Sequence, residues 1–279
     1  MKNEPPHKVE ATNDIPLGWV EPHAQLLKQP ENTQRLYKIV RAHHFLDMLQ
    51  KNYLHFQRVD TYRDDTFDGE QLPLDKERNQ KLAFEKSPSF TAATYYDTSR
   101  SRTYACCFSL ENSPYIWSEY GKGGNALGLA FEFGKLRHVL NQTMESGNSA
   151  LMYGDNHCKQ IFSINYGIVE YVEREKHSLN VQRLANPVQY TFLKEKQKYE
   201  GERELRISLS ALGIGNFALA NGEIMAFPPS LQLDFNFKEA FFSGTIQEIL
   251  TNGDDSLAEH LKQKMQNLGY MVSECGKPT

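Results

Sequence analysis

No run of about 18 consecutive apolar residues occurs in the sequence, so no membrane-spanning helix is indicated. A charged-then-apolar start is also lacking, and with it any sign of a secretory signal. Cysteine is scarce: Cys106, Cys107, Cys158 and Cys275 make up the set. The first two are neighbours, which rarely satisfy disulfide geometry with each other. No C-x-x-C or H-x-x-x-H spacing supports a zinc site. An excess of either charge is missing too, because 31 Lys and Arg face 35 Asp and Glu for a net charge of −4. The chain as a whole is therefore not drawn to nucleic acid or an anionic membrane, although a local basic groove stays open. The glycines at 121, 123, 124 and 128 are followed by no Lys-Ser/Thr and lack the G-x-G-x-x-G order, which argues against a phosphate-cradling loop. No internal repeat and no long linker divides the chain. These absences describe a reduced, metal-free, cytoplasmic protein.

What is present suits a folded protein. Of 279 residues, 39% are hydrophobic and 11% aromatic, enough to bury a sizeable core. Residues 1–33 hold five of the twelve prolines and read as an irregular arm, docked through Trp19 and Leu26-Leu27 or reserved for a partner. Residues 34–279 then read as one domain. Leu36–Arg41 is a strand candidate, Phe45, Met48 and Leu49 mark an amphipathic helix, and Tyr53–Val59 alternates as a second strand. His43 and His44 have no third ligand in view and are taken as surface or packing residues. Residues 60–70 form an acidic, turn-rich loop braced by Arg63, residues 74–90 a helix, and residues 87–102 a loop or lid. Thr103–Ser109 is a strand, followed by a short helix with Ser113 as its cap, Pro114 at its first position and Gly121 past its end. Strands follow over 127–133, 161–172, 231–237 and 241–250, with helices over 136–142 and 255–268 and a loop over 146–158 that carries Gly147 and Gly154. Strands in neighbouring runs favour an α+β fold with a mixed, largely antiparallel curved sheet flanked by helices.

The stretch that carries chemistry is Lys196–Ser210. From Glu202 to Ser208 every second residue is polar, with Leu205 and Ile207 between them, the period of a half-buried strand. On such a strand Glu202, Glu204 and Arg206 share a face at roughly 6–7 Å spacing. Two carboxylates with a guanidinium can act as a general base or a hydroxyl clamp with an ionic orienter. The same pattern also suits a solvated strand face or a charged helix turn. Trp117 and Tyr120, three apart on the short helix, offer an aromatic wall, or core packing. Five carboxylates lie between Asp60 and Glu70; Asp64, Asp65, Asp68 and Glu70 are candidates for a hard cation, but their spacing does not match a Ca²⁺ loop.

Four separated motifs together resemble the bacterial family called domain of unknown function 2971. They are Leu36-Tyr37-Lys38; Phe56-Gln-Arg58-Val-Asp60 with Phe67-Asp-Gly-Glu70; Cys107-Phe108 with Trp117-x-x-Tyr120 and a glycine-rich strand; and Phe192-x-Lys194 with Tyr199-x-x-Glu202-x-Glu204-x-Arg206. Asp65-Thr66-Phe67-Asp68 stands where that family usually has Asp-Pro-Phe-Glu. A more distant similarity is to the ADP-ribosyltransferase fold. It implies NAD as substrate, Lys38 or Arg41 as the first-strand cation, Trp117 and Tyr120 as the nicotinamide wall and Glu204 or Glu202 as the late-strand glutamate, with Arg206 orienting the carboxylates and Arg58 as a further cation. Lys38 departs from the usual Arg or His, and no Ser-Thr-Ser strand is evident. The resemblance implies an intracellular toxin or phage-defence effector that modifies a macromolecule, protein or nucleic acid, with the arm available to a partner or antitoxin. Two other readings stay open: a Mg²⁺-dependent hydrolase or nuclease built on Asp64–Glu70, and a non-catalytic module that binds protein or nucleic acid through the aromatic wall.

Overall fold

The computed structural model describes residues 18–84, 87–146, 150–179, 184–212 and 215–270; Cys275 and residues 1–17 of the arm lie outside them. The chain runs through β1 (Trp19–Val20), β2 (Arg35–Arg41), α1 (Ala42–Lys51) and β3 (Tyr53–Arg58). Then come α2 (Pro73–Gln80), the short strands β4 (Ala83–Phe84) and β5 (Ser87–Thr91), α3 (Ala92–Arg100) and β6 (Thr103–Ser109). α4 (Pro114–Tyr120), β7 (Ala126–Glu132), α5 (Phe133–Glu145), β8 (Leu151–Tyr153) and β9 (Asn156–His157) follow. β10 (Phe162–Ile168), β11 (Glu170–Val172), α6 (Pro187–Tyr190), β12 (Leu193–Glu195), α7 (Lys196–Tyr199) and β13 (Glu204–Ala211) come next. β14 (Phe217–Ala218), β15 (Ile224–Met225), β16 (Ser230–Asp234), α8 (Phe237–Phe242), β17 (Ile246–Leu250) and α9 (Asp255–Asn267) complete the described chain.

The α+β expectation holds: eleven strands join one curled mixed sheet in the order β1-β10-β13-β6-β3-β16-β8-β9, with β2, β7 and β17 as a second branch. Within it β1 runs parallel to β10, and every other pairing is antiparallel. The branch point is β6. One edge pairs with β13 along its whole length, from Glu204↔Ser109 to Ser210↔Thr103. The other edge meets β3 at Tyr104 and Ala105 but β2 only at Ser109. On that second edge, between those contacts, no described strand pairs with Cys106–Phe108, so β2 and β3 diverge and leave a fork in the sheet.

Period-two alternation sorts the two faces. Leu205, Ile207 and Leu209 of β13 enter the main core, which α1, α5, α8 and α9 cover through residues such as Phe45, Leu136, Phe237 and Leu261. Glu204, Arg206 and Ser208 point to the other face. There the excursions between β3 and β6 and between β10 and β13 pack a smaller cluster of Leu72, Ala92, Tyr96, Val172, Tyr190 and Leu193. Gly167 on β10, opposite Arg206, allows this second layer to approach. A Cβ built there would sit 2.8 Å from the buried Phe192 ring. Gly167→Ala is accordingly expected to destabilise by about 1–3 kcal/mol through overpacking, read as a lower urea midpoint at unchanged slope. An unchanged midpoint would show that the layer yields freely.

Several expectations need correction. The helix expected over 74–90 stops at Gln80, and the loop expected over 87–102 is β5 followed by α3, whose cap is Thr91 accepting from the Thr94 N–H at 3.2 Å. Residues 146–158, expected to loop out, include the β8–β9 hairpin. The strand expected over 161–172 breaks between β10 and β11, and part of the run from 231 to 250 is α8, capped by Asn236 accepting from Glu239 N–H. These are places where a side-chain cap or tertiary packing overrides local composition. The described part of the arm docks through the pairing of β1 with β10, through Leu27 near Gly167 and through Glu21, and not through the Trp19 side chain. Glu21 receives Arg137 Nε at 2.6 Å and Asn141 Nδ2 at 2.7 Å, while Trp19 stays exposed.

Candidate functional site

The fork in the sheet is a cleft. Its volume is about 320 Å³, at the small end of the roughly 300–1,000 Å³ usual for ligand pockets. Lys38 and Ile39 of β2 form one wall, His55 and Gln57 of β3 another, and Ile116 and Tyr120 of α4 a third. The unpaired edge of β6 supplies part of the floor, where Lys38 Nζ donates to the Cys107 carbonyl at 3.1 Å in place of a missing strand neighbour. The same ammonium lies 5.1 Å from the centroid of the Phe108 ring.

The back of the cleft is a network of buried charges. Arg206, fully enclosed, forms a fork with both Asp68 oxygens at 2.6 and 2.7 Å, donates from Nε to Glu204 Oε1 at 2.7 Å and reaches the Thr191 carbonyl at 2.7 Å. Lys194 from β12 stands between Glu202 Oε2 at 2.7 Å and Glu204 Oε2 at 3.0 Å. Glu202 Oε1 accepts the Tyr120 hydroxyl at 2.5 Å. Glu202 precedes the strand, in a 3₁₀ turn, and Arg203 is left-handed at φ 46°. That twist returns the Glu202 side chain to the Glu204 face without regular strand spacing.

Burial opposes ionisation throughout this network, and the neighbours decide how far. At Glu204 the Arg206 and Lys194 charges outweigh burial and hold the carboxyl well below its ordinary range. At Glu202 burial, with the Glu204 charge behind it, outweighs Lys194 and raises the carboxyl. Asp68 is raised by burial against the opposing pull of Arg206. Burial and the neighbouring Glu204 push the Cys107 thiol far up, and burial does the same to the Tyr62 hydroxyl, so neither is an activated nucleophile.

Of the residues singled out in the sequence, Lys38, Tyr120, Glu202, Glu204 and Arg206 meet at this cleft. Trp117 does not. Its ring lies over β7, with Cζ2 3.1 Å from a Cβ built on Gly128, and its indole N–H donates to Asn112 at 2.8 Å. α4 instead turns Ile116 and Tyr120, four apart, toward the cleft. Arg41 donates to the Gly124 carbonyl at 2.7 Å and steadies the glycine turn. Arg58 pairs with Asp60 at 2.6 Å and reaches the Phe227 carbonyl, tying β3 to the Pro228-Pro229 turn. Neither lines the cleft.

The acidic loop is braced by other cations than the exposed Arg63. Arg100 donates to the Asp68 and Thr66 carbonyls at 2.7 and 2.6 Å, and Lys198 Nζ and Tyr199 Oη donate to the Asp64 carbonyl at 2.7 and 2.8 Å. Asp68 is engaged by Arg206, and Glu70 by Lys76 at 2.6 Å. Among the described residues no group of three or more His, Cys, Asp and Glu is placed to hold a metal ion. Asp68, a cation-ligand candidate in the sequence, is instead an ionic partner of Arg206, and Lys194, which the sequence offers only as part of a motif, joins the same network. Their signal was a strand arginine between buried neighbours, which requires carboxylate partners. A second groove of about 610 Å³ adjoins the cleft and shares Asp64, Asp65, Lys194 and Tyr199 with it. Among the described residues no helix is long and apolar enough to cross a membrane. No family model matches the chain, and no curated protein or solved structure matches it.

Proposed function

We propose that the chain is an NAD-dependent ADP-ribosyltransferase-like enzyme whose active site is the cleft at the sheet fork. The observation that carries this reading is the convergence of Lys38, Tyr120, Glu202 and Glu204, from distant parts of the sequence, on one concave site. The cleft has room for the nicotinamide–ribose half of the dinucleotide, and the adjoining groove extends the space beyond it. Tyr62 and Tyr120 offer ring faces for nicotinamide, and Lys38 offers a charge for the pyrophosphate.

In the reaction the bond between ribose C1′ and the nicotinamide nitrogen breaks, and nicotinamide leaves with the electron pair. The ribose passes through an oxocarbenium-like state, as in glycoside hydrolysis, and C1′ bonds to an acceptor nucleophile that gives up its proton. A carboxylate beside the ribose stabilises that charge and accepts a hydroxyl hydrogen bond. Glu202 is suited to this contact because it lines the cleft and each of its oxygens, accepting one hydrogen bond from Tyr120 or Lys194, keeps a further lone pair for a hydroxyl. Glu204, enclosed between Arg206 and Lys194, supplies fixed negative potential behind it. The acceptor is a macromolecule, and an intracellular toxin or defence role fits such chemistry.

The test is incubation of labelled NAD with cell lysate and the wild-type, Glu202→Ala and Glu204→Ala proteins. Label should pass to a macromolecule with the wild type and not with either variant. Wild-type inactivity together with no heat of NAD binding by calorimetry would overturn the reading. The binding-module alternative makes the opposite forecast: partner capture lost on Trp117→Ala and untouched by both carboxylate variants.

A further inference from the structure

Lys194 bridges both glutamates at the back of the cleft, yet it comes from a three-residue strand outside the main sheet, β12, which pairs in parallel with β11 through Tyr171↔Lys194. Its ammonium is 2.7 Å from Glu202, 3.0 Å from Glu204 and 4.6 Å from the centroid of the Tyr199 ring. The lysine side chain is only 8% exposed. The two carboxylates do not depend on it equally. Glu204 keeps a second cation, Arg206, at 2.7 Å. Glu202 has no other: among the described residues Lys194 is its one salt-bridge partner, and its remaining oxygen accepts the neutral Tyr120 hydroxyl.

We propose that Lys194 is a positioning residue that keeps Glu202 charged and facing the ligand beside Glu204. Two carboxylates gathered at one ammonium cannot both stay ionised once that ammonium is gone, because like charges at such range exclude each other. Arg206 decides which one keeps its charge. It holds Glu204, so loss of Lys194 falls on Glu202. The other groups facing Glu202 are Tyr115 and Tyr120 on α4, Glu204 on β13 and Tyr171 on β11, none of them a cation. Lys194 also lines both the cleft and the adjoining groove, so its removal opens the wall between them. The role of the cleft as an NAD site rests on the proposal above; the ionisation of Glu202 does not.

The test is a ¹³C NMR titration of the glutamate side-chain carboxyls in the wild type, Lys194→Met and Lys194→Arg, with NAD binding measured across the same pH range. The Glu202 midpoint should rise by about one to three pH units in the Met variant and return toward the wild-type value in the Arg variant. A folded Met variant with an unmoved midpoint would overturn the role. A second measurement needs no variant: the Lys194 ammonium should give a protonated, slowly exchanging ¹⁵N signal from pH 5 to 9, and a neutral amine in that range would overturn the role equally. A shifted midpoint without NAD binding by any form would leave Lys194 as the clamp and remove the NAD reading. NAD binding with an unmoved midpoint would do the reverse.

Discussion

Arg206→Met is expected to lower the melting temperature by roughly 6–20 °C. The guanidinium holds both oxygens of Asp68, the Glu204 carboxylate and the Thr191 carbonyl, all of them buried. Removing one partner of such a buried arrangement costs about 3–5 kcal/mol, because the opposing charges stay behind uncompensated. In a chain of this size each kcal/mol moves the midpoint by about 2–4 °C. Adding Asp68→Leu to Arg206→Met should recover part of the loss, since an apolar pair replaces a charge left alone. The acid limb should change as well. Glu204 is depressed in the folded state, so its contribution is present above the unfolded value of about 4.3 and is lost as pH falls through the folded one. Arg206→Met weakens that contribution and should flatten the stability profile below pH 4.3. Thermal melts from pH 2 to 8 read both effects, and a fall of less than about 2 °C at pH 7 would mean that the network does not hold the two layers together.

Glu202→Gln is expected to reduce ADP-ribosyl transfer at least a hundredfold, the scale of removing one electrostatic contact to a developing charge. Its fold should survive, because the amide can still meet Tyr120 and Lys194. The stability difference between the two proteins carries a sign of its own. Glu202 is raised in the folded state by burial and by the Glu204 charge, against the pull of Lys194. The folded wild type therefore holds that proton more tightly than the unfolded chain does. This advantage over the non-titrating variant is complete below about pH 4.3 and disappears as pH rises through the folded value. Melting both proteins at pH 5 and 8.5 should show the variant gaining on the wild type at the higher pH. Full activity in Glu202→Gln would move the reacting centre elsewhere.

How much of this was legible in the sequence follows from how far apart the partners lie. Period two at Leu205, Ile207 and Leu209 identified β13 and the face of Glu204 and Arg206, because a strand exposes its pattern locally. Glu202 joined that face by a different route, through the left-handed Arg203, which no alternation encodes. The ionic partners were hidden: Asp68 is 138 residues from Arg206, and the loop carrying it reads as a metal or turn segment when taken alone. Trp117 and Tyr120 looked like one wall because residues three apart are neighbours on a helix. The docking of Ile116 sets the rotation of α4, however, and sends the indole onto Gly128. The Tyr-rich run of α3 reads as loop by composition. It is helical because Thr91 caps it and Tyr96 packs edge-on against Tyr190 at 5.2 Å between centroids.

The central claim is that NAD enters the cleft where β2 and β3 part. Methyl NMR of isoleucine-labelled protein titrated with NAD tests it most directly, since Ile39 and Ile116 line that cleft while Ile164 and Ile207 lie in the core and Ile224 is far exposed on β15. Saturable shifts confined to the Ile39 and Ile116 methyls are the expected result. No shifts at all, or shifts that leave those two methyls unmoved, would contradict it.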